Sequence, residues 1–470
     1  MNTPERLQQL ERLGELGQWA MEQILRLTLE NVRLKNQLEE AQAQIKKQDQ
    51  QLEQWQREAH RQAAPFRRAP GERNPHPARP GRKAGHRGYY RPKPQQVDEH
   101  VHVQLDCCPH CQGPVSQKRP LIQYIEEIPE VRPRVTELTT EEGWCQRCQC
   151  EVRSTHPLQV SRANGAASVH LGPRALALAC DLNKAKGLSM RNTVSVLRDH
   201  FGLNLSPGGL ALLVQRVGRK IQPEYEHMAV ELRQSAVVHC DETSWWVGGP
   251  GWWLWVFTTK TMTVYVVIQS RAAAVVSSLI GENFPGVLVS DCLGIYDDLN
   301  PHQHKCYSHH LKAVSEACQA HPQQGEGYLL QVQALLRTAL WLKALQAEGE
   351  PERFKLCMQN LSSRAAALLD APRAQLQEEK VRVRLYKQRD HLFTFLERAD
   401  VPATNNLAER QLRPAVITRK ISCGNRTGKG ALAWQILASF AATCRQRGDS
   451  FIQFVAARVL LHLPRSPTAN

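Results

Sequence analysis

The chain reads as a multidomain α+β protein whose parts follow one another in order, and three patterns predict this. Apolar residues recur at heptad spacing near the amino terminus. Two C-x2-C pairs flank a short β-rich stretch. From residue 236 onward, brief β-branched runs alternate with turns before long helical stretches take over. The expected divisions are a coiled-coil helix over 1–60, a basic linker over 61–98, a zinc-binding ribbon over 99–160, and a helical, helix-turn-helix-like unit over 161–232. An α/β core over 233–450 then carries an all-α insertion at 313–399, and a tail closes the chain at 451–470. At 470 residues, several separate cores are affordable.

In the first segment Ile24, Asn31, Leu38, Ile45 and Leu52 fall at heptad position a, and Leu27, Leu34, Ala41, Gln48 and Trp55 at d. A buried Asn at an a position pairs well only with its equivalent, so Asn31 predicts a parallel, in-register dimer; a helix folded back on its own chain is the alternative. The linker is rich in Pro, Gly and Arg and cannot build a core. Its Arg82, Lys83 and Arg87 belong to a one-signed run suited to lying along phosphates or entering a minor groove, or simply to a soluble tether.

Cys108-Pro-His-Cys111 and Cys145-Gln-Arg-Cys148 can together supply four thiolates to a structural zinc ion, with Cys107, Cys150 and His110 as alternative ligands. Tyr124 to Val135, between them, has strand-like character. Next, a helix is expected from about Ser189 to His200, a turn at Phe201-Gly202-Leu203, and a second helix after Ser206-Pro207, where Ser is a good cap and Pro suits the first turn. That pair resembles a DNA-binding helix-turn-helix, although the second helix offers few base-reading side chains and an architectural connector fits as well.

The core pattern is strand, strand, strand, helix, strand: Ala236 to Cys240, Trp252 to Thr258, Thr263 to Gln269, Ala272 to Ile280 and Val287 to Ser290. Asp241 and Asp291 each follow a β-branched run, and Glu409 sits just inside a helix start. This order matches a ribonuclease-H-like core. Three carboxylates so placed suit Mg²⁺ or Mn²⁺, and a pair of such ions can clamp both the attacking and the leaving oxygen of a phosphodiester. Each acid also has a plain structural reading. Either Asp can end a strand as a turn residue, and Asn406 with Glu409 fits a capping box with Arg413 placed for an i,i+4 ion pair.

The strings HCDETSWW, WLWVF, SDCLGIYDDL, CYSHHLK and TNNLAERQLRPAVITRK resemble the signature blocks of the insertion sequence 66 family of bacterial transposases. The leucine-rich amino terminus, the RPGRKAGHRG stretch and the paired cysteines fall in that family's order. The resemblance implies an acidic-triad (DDE) transposase, with Asp241, Asp291 and Glu409 holding the metal. It would cut double-stranded DNA at its element's ends and join it to target DNA as a dimer or higher oligomer, with accessory proteins possible. Arg410, Arg413, Arg419 and Lys420 would hold phosphates nearby. Wider relatives often carry a basic residue seven positions after the glutamate, where this chain has Val416. The rival functions are a zinc-ribbon DNA-binding protein with a decayed core, and a metal-dependent nuclease acting on another nucleic acid.

Formal net charge is +15, which points to a polyanionic partner. No signal peptide or membrane span is expected, so the chain should be cytoplasmic and nucleoid-associated when bound; its 14 cysteines then read as thiols and metal ligands. Of the crowded Trp245, Trp246, Trp252, Trp253 and Trp255, alternation predicts that about half fill the core while exposed ones can stack on bases. Cys306 and His309 have ligand spacing but no obvious partner and read as support near the active site, and GNRTGKGA at 424–431 fails the phosphate-loop pattern and suits a DNA-backbone loop.

Overall fold

A computed structural model describes residues 33–45, 85–88, 90–161, 169–297, 302–320, 327–349 and 351–460, with 26, 30, 48 and 299 singly. The chain divides into two compact units, Met1–Glu126 and Glu127–Asn470. In the first, residues 33–45 form a helix (α1) that leaves Leu34, Leu38 and Ile45 exposed. The rest of the heptad seam, Asn31 included, and most of the basic linker lie outside the described residues.

The second unit begins with a hairpin of β1 (Glu142–Cys145) and β2 (Cys150–Arg153), paired from Glu142↔Arg153 to Cys145↔Cys150. The strand expected around Tyr124 to Val135 does not form. Pro129 and Pro133 remove backbone donors, and Ile125 and Ile128 stay above 80% exposed, so nothing there repays the ordering of a strand.

Helices α2 (Pro173–Cys180), α3 (Met190–Phe201) and α4 (Pro207–Arg233) follow. Ser189 caps α3 by accepting the Asn192 N–H, Gly202 ends it at φ 63°, and Ser206 caps α4 by accepting the Gly209 N–H. These two helices stand where the sequence put them, yet α4 is not a free reading helix. Its Leu210, Val214, Val217 and Ile221 share one core with Val238, Trp255, Phe257 and Val264 of the strands that follow, so packing has no break near residue 232.

Among the described residues those strands form a five-stranded sheet in the order β5-β4-β3-β6-β7. They are β3 (Val237–Trp245), β4 (Trp252–Thr258), β5 (Thr263–Ile268), β6 (Val287–Ser290) and β7 (Gln303–Lys305), with α5 (Ala274–Ile280) before β6. β3 pairs antiparallel with β4 and parallel with β6. Asp241 therefore does not end its strand: the ladder to β4 carries β3 on to Trp245, whereas the paired residues of the β6 ladder stop at His239↔Val289. β7 had no apolar signature because its three residues, Gln303, His304 and Lys305, are polar; all are buried.

The helical insertion runs through α6 (Tyr307–Ala320), α7 (Tyr328–Glu348), α8 (Pro351–Leu369), α9 (Leu376–Lys387) and α10 (Thr394–Glu397), starting at Tyr307 directly after β7 rather than at 313. It has its own core, centred on Leu335, Leu336, Leu342 and Phe395, joined to the sheet through Val287 and Val289. The chain then returns as α11 (Asn406–Ser422) and α12 (Gly428–Arg447). α12 seals the open edge of β5. Gln435, Ser439 and Thr443, one helical turn apart, accept the outward N–H groups of Val267, Tyr265 and Thr263 at 2.9, 2.9 and 3.0 Å. Residues 451–460 are not a loose tail: α13 (Phe451–Arg458) buries Phe451 and Val455 in the core, and Lys220 donates to the carbonyls of Val459 and Leu460. No helix among the described residues is long and apolar enough to cross a membrane.

Candidate active site

Strand register brings the two aspartates together. Two residues beyond the last pair of β3 and β6, His239↔Val289, stand Asp241 and Asp291, level with one another on neighbouring strands. The next parallel ladder pairs Ser290 with Lys305, so Cys306 comes level with Asp291. Asp241, Asp291 and Cys306 thus form a row where the parallel part of the sheet ends. Asp291 Oδ1 accepts the Leu293 N–H at 3.0 Å, which turns the chain away, and Asp241 Oδ1 accepts the Glu242 N–H at 2.9 Å.

Glu409 reaches this row from the first turn of α11, and Asn405 aims it. The Asn405 side chain donates to the Cys240 carbonyl at 2.8 Å and meets His239 Nδ1 at 3.0 Å, and its backbone N–H donates to Cys306 Sγ at 3.1 Å. Because α11 starts one residue early with Asn405 as its uncapped N-cap, the capping box read at Asn406 does not form. Burial, and then the negative charges of Asp291, Glu242 and Glu409, push the Asp241 carboxyl from 3.8 up to about 7. Asp241 thus feels the charge of both other acids. Among the described residues, the group of three metal-type donors within 4.8 Å of one another is Cys306, His309 and Glu409; the three carboxylates do not close to that spacing.

A model of the Transposase IS66 family matches residues 168–433, from just before α2 into α12. The chain belongs to the IS66 family of transposases. Two curated relatives are uncharacterized proteins of Sinorhizobium fredii (strain NBRC 101917 / NGR234). One, y4qI, is 24% identical over 298 residues, which is 56% of this chain and 54% of its own length. The other, y4jO, is 35% identical over 81 residues, 17% of this chain and 25% of its own length. The chain spans about half of the first relative and a quarter of the second.

Within this IS66 chain the basic residues divide. Arg410, Arg413 and Lys420 are exposed along α11. Arg419 is committed instead: its guanidinium donates to Thr243 Oγ1 at 3.1 Å, to Ser244 Oγ at 3.0 Å and to the Ser244 carbonyl, tying α11 to β3. Arg87 is exposed in the first unit, and Arg82 and Lys83 lie outside the described residues. A cleft of about 440 Å³ opens between Cys292, Asp297 and the α9 residues Glu379, Lys380, Arg384 and Lys387. Arg384 Nε is buried there without a hydrogen-bond partner.

Sequence reasoning missed the groups that brace the row. Glu242, on the opposite face of β3 from Asp241, is buried and accepts two bonds from Arg271, at 3.1 and 2.8 Å, and one from the Tyr296 hydroxyl. Lys305, fully buried, bonds Ser290 Oγ at 3.3 Å and pairs with Asp297 at 3.6 Å; burial holds its amine below the usual value. Their signal was only faint: an unpaired acid beside Asp241 and a polar triplet between apolar segments.

Trp245 and Trp255 are buried, Trp252 and Trp253 partly buried and Trp246 exposed; alternation does not set this, because β4 is buried continuously from Leu254 to Thr258. The 424–431 segment holds the β3–β4 turn: Asn425 accepts from Trp245 Nε1 at 2.9 Å, exchanges backbone bonds with Trp246 and Gly248, and leads to Thr427, which caps α12. Each C-x2-C segment has the same local shape. A Gln follows the second Cys at positive φ, 59° at Gln112 and 51° at Gln149. Backbone N–H groups aimed at Cys108 in one unit, and at Cys145 in the other, hold both thiols below their usual value. This favours thiolate, the form a zinc ion takes.

Proposed function

We propose that this IS66 transposase cuts double-stranded DNA at its element's ends and transfers the freed strand to target DNA, using Asp241, Asp291 and Glu409 to hold two divalent ions, Mg²⁺ or Mn²⁺. The observation that carries this reading is the register that sets Asp241, on β3, beside Asp291, just past the end of β6, with Glu409 delivered from α11. The strand order β5-β4-β3-β6-β7, with only β4 antiparallel to β3 and its parallel partners, fits a ribonuclease-H-like core. A half-buried carboxyl crowded by other carboxyls fits a site that gains from binding cations, because the ions neutralise charge that burial makes costly.

When bound, such ions lower the pKa of a water and stabilise the leaving oxygen of a phosphodiester. The chain's own residues position the strand. Arg410, Arg413 and Lys420 offer charge along α11, and Arg384 with Lys380 and Lys387 offers a phosphate berth at Cys292. Arg419 serves as a brace for α11. Zinc bound through the Cys108 and Cys111 thiolates, and through those of Cys145 and Cys148, would stabilise each of these exposed segments; the β1–β2 hairpin buries no residue fully. Net charge of +15 supports a DNA partner.

The test mixes full-length protein, Mg²⁺ and a labelled duplex carrying the element's end. Nicking should fall by on the order of 10³-fold or more in Asp241→Asn and in Glu409→Gln, with mobility-shift binding retained. Cutting that survives both substitutions would refute the assignment; equal cutting of RNA would favour a nuclease of another class.

A further inference from the structure

Cys306 and His309 flank the start of α6, one helical turn apart, and the proposed function leaves both unused. Cys306 is fully buried, and His309 Nδ1 is buried without a hydrogen-bond partner. Their donor atoms and a Glu409 oxygen lie within 4.8 Å of one another. Although burial works the other way, the neighbouring His309 and the Asn405 N–H hold the Cys306 thiol below its usual value. His309 in turn is pushed upward, first by Cys306 and further by Asp291 and Glu409, so the surroundings are negative and favour a cation.

One thiolate, one imidazole and one carboxylate make the donor set of a borderline-soft ion. Mg²⁺ takes oxygen ligands; zinc takes sulfur, nitrogen and oxygen together, and three protein ligands leave a fourth tetrahedral position open. We propose that Cys306, His309 and Glu409 form a zinc-class site, distinct from the C-x2-C segments, whose filling holds Glu409 away from Asp241 and Asp291 and so turns strand cleavage off. The inhibitory half rests on the proposed function; the binding half does not. Glu409 is the shared member, and a carboxylate drawn into a sulfur-containing site is lost to an oxygen-only one.

The experiment is equilibrium dialysis of full-length protein against Zn²⁺, with the bound metal counted. Wild type should hold about one zinc more per chain than either Cys306→Ser or His309→Asn, and unfolding midpoints of all three establish that the variants are folded. With Co²⁺ as probe, the sulfur-to-metal absorption should be stronger in wild type than in Cys306→Ser. Equal zinc in all three proteins would overturn the site. For inhibition, Mg²⁺-dependent nicking with and without added Zn²⁺ is expressed as a ratio for each protein. That ratio should fall roughly tenfold or more in wild type and stay within about twofold in His309→Asn, given what losing a metal-site group costs in affinity. Equal inhibition would overturn the switch. Absence of nicking in every protein would instead count against the transposase mechanism, while the zinc count still decides the site.

Discussion

The ribbon hairpin and the central sheet are both β-structure with cysteines close by, and they are held in opposite ways. No residue of β1 or β2 is fully buried, whereas every residue of β6 and β7 is, including His304 and Lys305. Strand propensity does not explain this. Ile122, Ile125 and Ile128 precede the hairpin with good β-formers and stay exposed, while polar Gln303 to Lys305 pair because neighbours cover them. In the sheet, packing selects the strand; in the hairpin, the proposed zinc would stand in for packing.

The sharpest way to break that contrast is to strip the metal. Chelation should expose residues 99–160 to limited proteolysis while the unfolding transition of the sheet and its helices stays where it was. Loss of both together would mean the ribbon is part of the main core. A single methyl probes the same difference more finely. A Cβ at Gly286, just before β6, would lie 2.3 Å from the Ser235 carbonyl oxygen and 2.8 Å from that of Ala236, while at Gly143 in β1 nothing lies within 4 Å. Gly286→Ala should cost about 3 kcal/mol in denaturant unfolding and Gly143→Ala less than about 0.5 kcal/mol.

The smallest effect is a pair of pH slopes with opposite signs in metal-free protein. The Asp241 carboxyl rises from 3.8 to about 7 on folding, so folded chain keeps a proton that unfolded chain has released. Its contribution is full below about pH 4 and is lost as pH climbs through 7. Cys145, held below 9.0, acts the other way: its contribution is present above pH 9 and lost as pH falls through its lowered value. Chemical unfolding at pH 5 and pH 8, followed by tryptophan fluorescence, should show the first slope in wild type and a flatter one in Asp241→Asn.

Much of the core was legible because its signals are local. Trp252 to Thr258 and Val287 to Ser290 are continuous apolar runs bounded by turns, and both match the observed strands residue for residue. Ser206 announced its helix through cap chemistry. The errors came where distant chain decides. Asp241 lies mid-strand because β4 continues where β6 stops. Asn405, and not Asn406, is the N-cap of α11, and its side-chain amide is engaged at Cys240 and His239. The partner of Cys306 and His309 lies about 100 residues downstream, at Glu409, beyond the reach of any spacing rule. A clue was visible in Gln435, Ser439 and Thr443, polar residues at i, i+4 and i+8 within the otherwise apolar stretch 431–444 of α12.

That helix also sets a clock. Thr263 waits for Thr443, 180 residues later, before its outward N–H finds a partner. At a synthesis rate of roughly 5–20 residues per second, the β5 edge stays open for on the order of 10 seconds or more on the ribosome. A chain interrupted before residue 435 keeps that edge bare, an invitation to pair with other strands. Glu409 precedes α12 in the same stretch of synthesis, so the nascent protein gains its last proposed metal ligand only shortly before its sheet is sealed.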